Sequence, residues 1–233
     1  MISIGSCKLG AHPCLAVAID DREKRSHLND ATTAGAHMIE LRIDRFSKRS
    51  TDHVLSELKK YRGIPRIATV RGHEEGGAWN GTEEVRQSLY EALLPETEAI
   101  DIELNSTTIN EAVIAQAAAK NVVVIASYHD FEKTPSPSYC GALIQRGVEL
   151  GADIVKIAAQ CESQKDLLKL TQVLVEHADQ PLVIIGMGEK GIQSRFLFPA
   201  LGSLITYTFL GQATAPGQLT FEETITLLRS LYP

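Results

Sequence analysis

The sequence predicts a single α/β domain over residues 1–233, a (β/α)8 TIM barrel, and three observations point to it. The 233 residues suit one large domain of barrel size. Eight short apolar runs alternate with longer amphipathic segments of helical period. Several runs are apolar on consecutive residues, as in Val122-Val123-Val124-Ile125, which suits strands covered on both faces. An open doubly wound sheet is the rival, but its first strand should lead into a GxGxxG turn, and Ala18-Ile19-Asp20-Asp21 does not.

In chain order, the expected strand Cys14–Ile19 feeds a helix over Arg22–Ala34. His37–Ile43 feeds Thr51–Tyr61, Arg66–Val70 feeds Thr82–Leu94, and Ala99–Leu104 feeds Thr108–Ala119. Asn121–Ser127 precedes Pro137–Leu150, Asp153–Ala158 precedes Glu162–Ala178, Pro181–Met187 precedes Gly191–Ala200, and Ser203–Phe209 precedes Thr220–Leu231. No change of composition, Pro/Ser-rich linker or low-complexity tract divides the chain.

Composition excludes several function classes. Apolar residues at 44% and charged residues at 22% describe an ordinary globular chain. The formal charge of -6, with Lys and Arg scattered, argues against nucleic acid and anionic membranes as partners. Cys7, Cys14, Cys140 and Cys161 lack CxxC spacing and read as reduced thiols. Met1 to Pro13 has no apolar run of signal length, and Val122 to Ala126 is far short of a membrane span, so a cytoplasmic protein is expected. His12, His27, His37, His53, His73, His129 and His177 lack close ligand spacing, so no metal is expected.

In a barrel the C-terminal strand ends form the active face, so polar residues there are functional candidates. Period two puts Glu40, Arg42 and Asp44 on one side of the second strand, as a site or as an interior ion-pair network. The third runs into the charged, glycine-bearing loop Arg71-Gly72-His73-Glu74-Glu75-Gly76-Gly77, and the fifth ends in Ser127-Tyr128-His129-Asp130-Phe131. The sixth, Asp153-Ile154-Val155-Lys156-Ile157-Ala158, carries a lysine whose amine should point into the barrel with Ile154 and Ala158. Burying an ammonium is costly, so desolvation, with Arg42 and Arg71 nearby, favours a neutral nucleophile able to form imines. The alternative is a lysine whose stem lies in the wall and whose head reaches a carboxylate such as Glu40. Gly186-Met187-Gly188 leads towards Ser194-Arg195 and could hold a phosphate, while Thr214-Ala215-Pro216-Gly217-Gln218 could act as a lid.

Together these residues resemble the type I 3-dehydroquinate dehydratases, the Schiff-base enzymes of the shikimate pathway, over almost the whole chain. The resemblance rests on Glu40-Leu41-Arg42-Ile43-Asp44, Arg71 with Glu75-Gly76-Gly77, Ser127 to Phe131, Asp153 to Ala158, Met187-Gly188 with Ser194-Arg195, and Ala215 to Gln218, all in the family's order. It implies that Lys156 attacks the ring ketone of 3-dehydroquinate and that His129 moves the protons, oriented by Glu75. It further implies that Glu40, Arg42 and Arg71 bind hydroxyls and organise the site, that Met187 lines it, that Arg195 clamps the carboxylate, and that Thr214 and Gln218 belong to a closing loop. No cofactor is implied, and a homodimer is expected because dimers are common among similar proteins. Three positions depart from the family's commonest pattern: Thr214 for serine, Tyr207 for phenylalanine and Ile185 for methionine; these are expected to alter substrate affinity rather than chemistry.

Two rival readings stand beside this one. A class I aldolase shares the barrel and the lysine imine but needs a phosphate site from the last two loops. A non-catalytic metabolite-binding barrel would use Lys156 only in an ion pair.

Overall fold

The computed structural model describes residues 1–232. Its strands are β1 (Ser3–Ile4), β2 (Cys7–Lys8), β3 (Cys14–Ile19), β4 (Met38–Arg42), β5 (Arg66–Thr69), β6 (Ala99–Glu103), β7 (Val123–Asp130), β8 (Ile154–Gln160), β9 (Leu182–Met187) and β10 (Ile205–Phe209). Strands β3 to β10 form one parallel sheet in the order β10-β3-β4-β5-β6-β7-β8-β9. The two ends of that sheet meet where Leu204 N–H donates to Leu182 O at 2.8 Å and Ile184 N–H donates to the Ser203 hydroxyl at 3.0 Å. Those bonds close the TIM barrel without a full ladder along the seam.

The helices are α1 (Arg25–Thr33), α2 (Thr51–Lys60), α3 (Glu83–Leu93), α4 (Asn110–Ala119), α5 (Pro137–Glu149), α6 (Gln164–Glu176), α7 (Ser194–Leu197) and α8 (Phe221–Leu231). Local chemistry sets several of their starts: Ser163 with Asp166 and Thr220 with Glu223 form capping boxes, and Ser136 caps α5 ahead of Pro137.

Alternation along the strands sorts the core into two kinds. On β8, Val155, Ile157 and Ala159 join the cluster between sheet and helices, whereas Ile154 and Ala158 join the cluster inside the barrel. Lys156 therefore points inward, as its position between them requires. The interior cluster also takes in Ile4, Cys7 and Leu9, so the β1–β2 hairpin packs against the barrel interior. Apolar packing at that end leaves the other end of the barrel for polar groups. The four cysteines are free and buried.

Three elements differ from expectation. The N-terminal hairpin was not foreseen; Gly5 turns it at φ 55°. Strand β7 runs three residues past Ser127, because Tyr128, His129 and Asp130 continue to pair with Ile157, Ala158 and Ala159. The helix expected over Gly191–Ala200 is only α7, flanked by 3-10 turns at Glu189–Gly191 and Phe198–Leu201. Pro199 interrupts the helical hydrogen bonding there, and Gly191 lies so close to Gly186 that a Cβ would overlap its backbone.

Among the described residues, no helix is long and apolar enough to cross a membrane, and no cluster of three or more His, Cys, Asp or Glu side chains is placed to hold a metal.

Candidate active site

The strands deliver a dense set of charges to the C-terminal mouth. On β6, Ile100 and Ile102 face the helices, so Asp101 and Glu103 point the other way. Asp101 is fully buried and accepts from Arg71 Nη2 at 2.6 Å, Ser127 Oγ at 2.6 Å and Lys156 Nζ at 2.9 Å. Burial opposes its ionisation, but Arg71 and Lys156 outweigh that and hold the carboxyl far below the usual range. Glu40 Oε1 lies 3.7 Å from Lys156 Nζ and accepts from the Thr69 hydroxyl at 2.9 Å. The Lys156 amine stands 4.0 Å from the centre of the Tyr207 ring.

Arg42 and Arg71 line the same pocket as Lys156, and Arg71 donates to the same carboxylate, Asp101, as the amine does; both guanidiniums are also paired with acceptors of their own. Arg42 makes a two-pronged pair with Asp44 at 3.0 and 2.9 Å, and Arg71 bonds Asp101 and Ser127 and lies 3.3 Å from Glu103. In the resting site Lys156 is an ion-pair partner of two carboxylates, as the alternative reading had it for Glu40.

His129 stands on β7 opposite Ala158, two residues nearer the mouth than Ser127, which faces Lys156 in the ladder. Its backbone N–H donates to Glu75 Oε2 at 2.8 Å, and its Nδ1 lies 3.0 Å from the same oxygen. Asn105 holds the other Glu75 oxygen at 3.1 Å. Burial, reinforced by Arg71 and Lys156, pushes the imidazole well below its ordinary 6.5, so it is neutral. Burial also pushes Glu75 up to about 8, against the pull of Arg71. With Nδ1 engaged by Glu75, Nε2 is the nitrogen left for chemistry.

Arg195 is buried on α7 and bonds only main-chain oxygens: Gly217 O at 2.8 Å, Tyr207 O at 3.3 Å and Pro216 O at 3.4 Å. Desolvation, with nothing opposing it, pushes the guanidinium down to about 10. A buried cation without an anion is a receptor for one. The loop that Arg195 grips lies over the mouth: Gly188 N–H donates to Pro216 O at 3.1 Å, Arg45 Nη2 to Thr214 O at 3.1 Å, and Thr214 N–H to Gln218 Oε1 at 2.8 Å. Gly217 has φ 68°, and a Cβ there would overlap the Gly188 carbonyl. Gly188 N–H is spent on this loop and Gly191 N–H on Gly188 O, so neither is free to hold a phosphate.

Glu40, Arg42, Arg71, Glu75, His129, Lys156, Met187, Arg195, Thr214 and Gln218 all line one pocket, together with Tyr207 and Ile185. Asp44 sits just beyond β4, bracing Arg42. Sequence reasoning missed Asp101, Glu103 and Asn105. The signal was present in Ala99-Ile100-Asp101-Ile102-Glu103, where two acids at period two interrupt an apolar strand as Glu40 and Arg42 do on β4.

The model of the type I 3-dehydroquinase family matches residues 14–233. The chain belongs to the type I 3-dehydroquinase family. Within it, a 3-dehydroquinate dehydratase from Methanococcoides burtonii is 34% identical over 227 residues, covering 96% of each chain. The solved type I 3-dehydroquinate dehydratase from Clostridium difficile, with covalently modified comenic acid, superposes with a TM-score of 0.88 at 28% identity over 99% of this chain and 96% of that one. The 3-dehydroquinate dehydratase from Aquifex aeolicus superposes at 0.85 with 33% identity, over 94% of this chain and 99% of that one. Family membership makes this chain a hydro-lyase and removes the aldolase and the non-catalytic barrel as readings of it.

Proposed function

We propose that the chain dehydrates 3-dehydroquinate to 3-dehydroshikimate through a Schiff base on Lys156, with His129 as the acid–base group. The observation that carries this reading is one pocket holding a buried amine and a neutral imidazole on adjacent strands, lined as well by an anion-free Arg195. The run of the barrel from β3 through α8 supports a single catalytic domain.

The substrate is a cyclic ketone bearing a carboxylate and hydroxyls. Its carboxylate suits the planar fork of Arg195, and its hydroxyls suit Glu40, Arg42 and Arg71. Attack requires the lone pair of Lys156, so the amine first gives up a proton to the neutral His129. It then adds to the ketone carbon, and the former carbonyl oxygen, receiving that proton back from His129 and a second from the nitrogen, leaves as water and gives a protonated imine. That cation withdraws electrons from the neighbouring carbon, from which His129 Nε2 removes a proton to leave an enamine. The enamine expels the hydroxyl one carbon further on, His129 returns the proton to it, and a second water departs. Hydrolysis of the imine consumes one water, restores Lys156 and releases the conjugated enone, so the net change is loss of one water.

Glu75 keeps the imidazole oriented, and acid–base catalysis of this kind is worth about 10²- to 10⁴-fold in rate. The test is the rise in ultraviolet absorbance as enone forms. Lys156→Ala should abolish it. His129→Ala should slow it by about 10²-fold or more while still allowing imine formation. Near-normal rates in both variants would overturn the assignment.

A further inference from the structure

The β1–β2 hairpin packs against the barrel interior, yet it is a two-stranded sheet of its own. Its main-chain bonds run within itself, as in Leu9 N–H to Ile2 O at 3.0 Å. Among the described residues, no main-chain hydrogen bond joins residues 1–10 to a barrel strand. Apolar contacts of Ile4, Cys7 and Leu9 hold the hairpin in place.

The side chains of Cys7 and Cys14 cross that boundary. Cys7 lies on β2 and Cys14 opens β3, and their sulfurs stand 3.2 Å apart. The Cys14 thiol also lies 3.7 Å from the Lys8 carbonyl oxygen, against the main chain of the hairpin. Both thiols are free. A disulfide sets its sulfurs at about 2.05 Å, so closure asks for an approach of about 1 Å. Cys161, by contrast, contacts the Thr134 hydroxyl and the Ala159 carbonyl rather than a thiol.

The two sulfurs differ in readiness. Cys7 keeps 7% exposure and Cys14 none. The hydrogen bond from Cys14 also draws the Cys7 thiol below its ordinary value, while the same contact and burial push Cys14 up. Cys7 is thus the sulfur that an oxidant meets first.

We propose that Cys7 and Cys14 are a modification site, which a peroxide converts into a disulfide that fastens the hairpin to the first strand of the barrel. The Cys7 thiolate attacks one peroxide oxygen and breaks the O–O bond; the expelled hydroxide takes the thiol proton and leaves as water, and Cys7 becomes a sulfenic acid. The Cys14 sulfur then attacks the sulfenic sulfur, whose S–O bond breaks, and the second hydroxide leaves as water with the Cys14 proton. Two thiols lose two electrons in all, and one peroxide is reduced to two waters. The bond closes a loop of eight residues, Cys7 to Cys14, and restricts the unfolded chain. The melting temperature should rise by about 5 to 10 °C.

The test treats the full reduced chain with hydrogen peroxide and compares it with untreated protein under non-reducing conditions. The intact mass should fall by that of two hydrogens, and the Cys7 and Cys14 peptides should be recovered as one cross-linked species. Dithiothreitol should reverse both changes and the rise in melting temperature. Cys7→Ser should gain neither cross-link nor thermal stability, and Cys14→Ser should stop at a sulfenic acid that dimedone traps on Cys7. Oxygen added to wild-type Cys7 without a cross-link, a disulfide between other cysteines, or a Cys7–Cys14 cross-link that lowers the melting temperature would each overturn the proposal.

Discussion

Arg195→Met removes the one guanidinium in the pocket that bonds only main-chain oxygens, and two opposing effects set its consequence for stability. Burial lowers Arg195 from 12.5 to about 10. At about 1.4 kcal/mol per unit, that places a resting cost of about 3 kcal/mol on the charge. The three bonds from Arg195 to Gly217 O, Tyr207 O and Pro216 O offset it by about 1 kcal/mol each. The two nearly cancel, so the ligand-free variant should melt within a few degrees of wild type. Substrate affinity has no such compensation. Loss of a two-pronged bond to carboxylate should raise KM about 100-fold, with Arg195→Lys between the two because a point charge lacks the fork. Initial rates by enone absorbance give KM, and a thermal shift with 3-dehydroshikimate gives product binding. The product should raise the melting temperature of wild type but not of Arg195→Met. A variant with wild-type KM, or one that loses stability without losing affinity, would refute the assignment of Arg195 as the anion receptor.

Other outcomes depend on the same charges. Asp101→Asn strips the anion from the fully buried Arg71 and Lys156 pairs; at about 3 to 5 kcal/mol for a broken buried pair, the melting temperature should fall by about 10 °C, and an unchanged value would remove Asp101 from the centre of the network. Folded Glu75 titrates near 8 against an ordinary 4.5, so across that window the folded protein holds a proton that the unfolded chain has released. Its contribution to stability is present below about pH 4.5 and is lost as pH rises towards 8. Glu75→Gln should therefore gain stability relative to wild type between pH 5 and pH 8 in urea unfolding, and parallel pH profiles would contradict the burial argument. Gly217→Ala puts a Cβ against the Gly188 carbonyl at a positive φ, so the loop should no longer seat over the mouth; KM should rise about tenfold with little change in melting temperature, since the loop lies outside the barrel core. An unaltered KM would mean that the seated loop is not needed for binding.

The barrel was legible because its strands are near-continuous apolar runs and its helices keep their period, so most boundaries fell within two residues of those observed. Where the chain leaves those periods, reading failed. The α7 region looks helical until Gly191 and Pro199 are weighed as close-approach and breaker residues, and β7 outruns its apolar stretch because partners on β8 keep its backbone paired through Tyr128, His129 and Asp130. The pocket was legible for side chains that interrupt an apolar strand or end one, such as Lys156 and His129. Asp101 carried the same signature and was passed over, and with it the carboxylate that Lys156 bonds. Sequence spacing places Arg42 and Arg71 near the amine, but which acceptor each guanidinium takes depends on side-chain reach across strands. Burial of an unbonded hydroxyl at Tyr207 is invisible to periodicity altogether.

The covalent bond itself is the most direct test. Wild-type protein incubated with 3-dehydroquinate and borohydride should lose activity and gain the mass of one reduced adduct, mapped to the peptide that carries Lys156. An unmodified Lys156 during turnover, or an adduct on another lysine, would contradict the account.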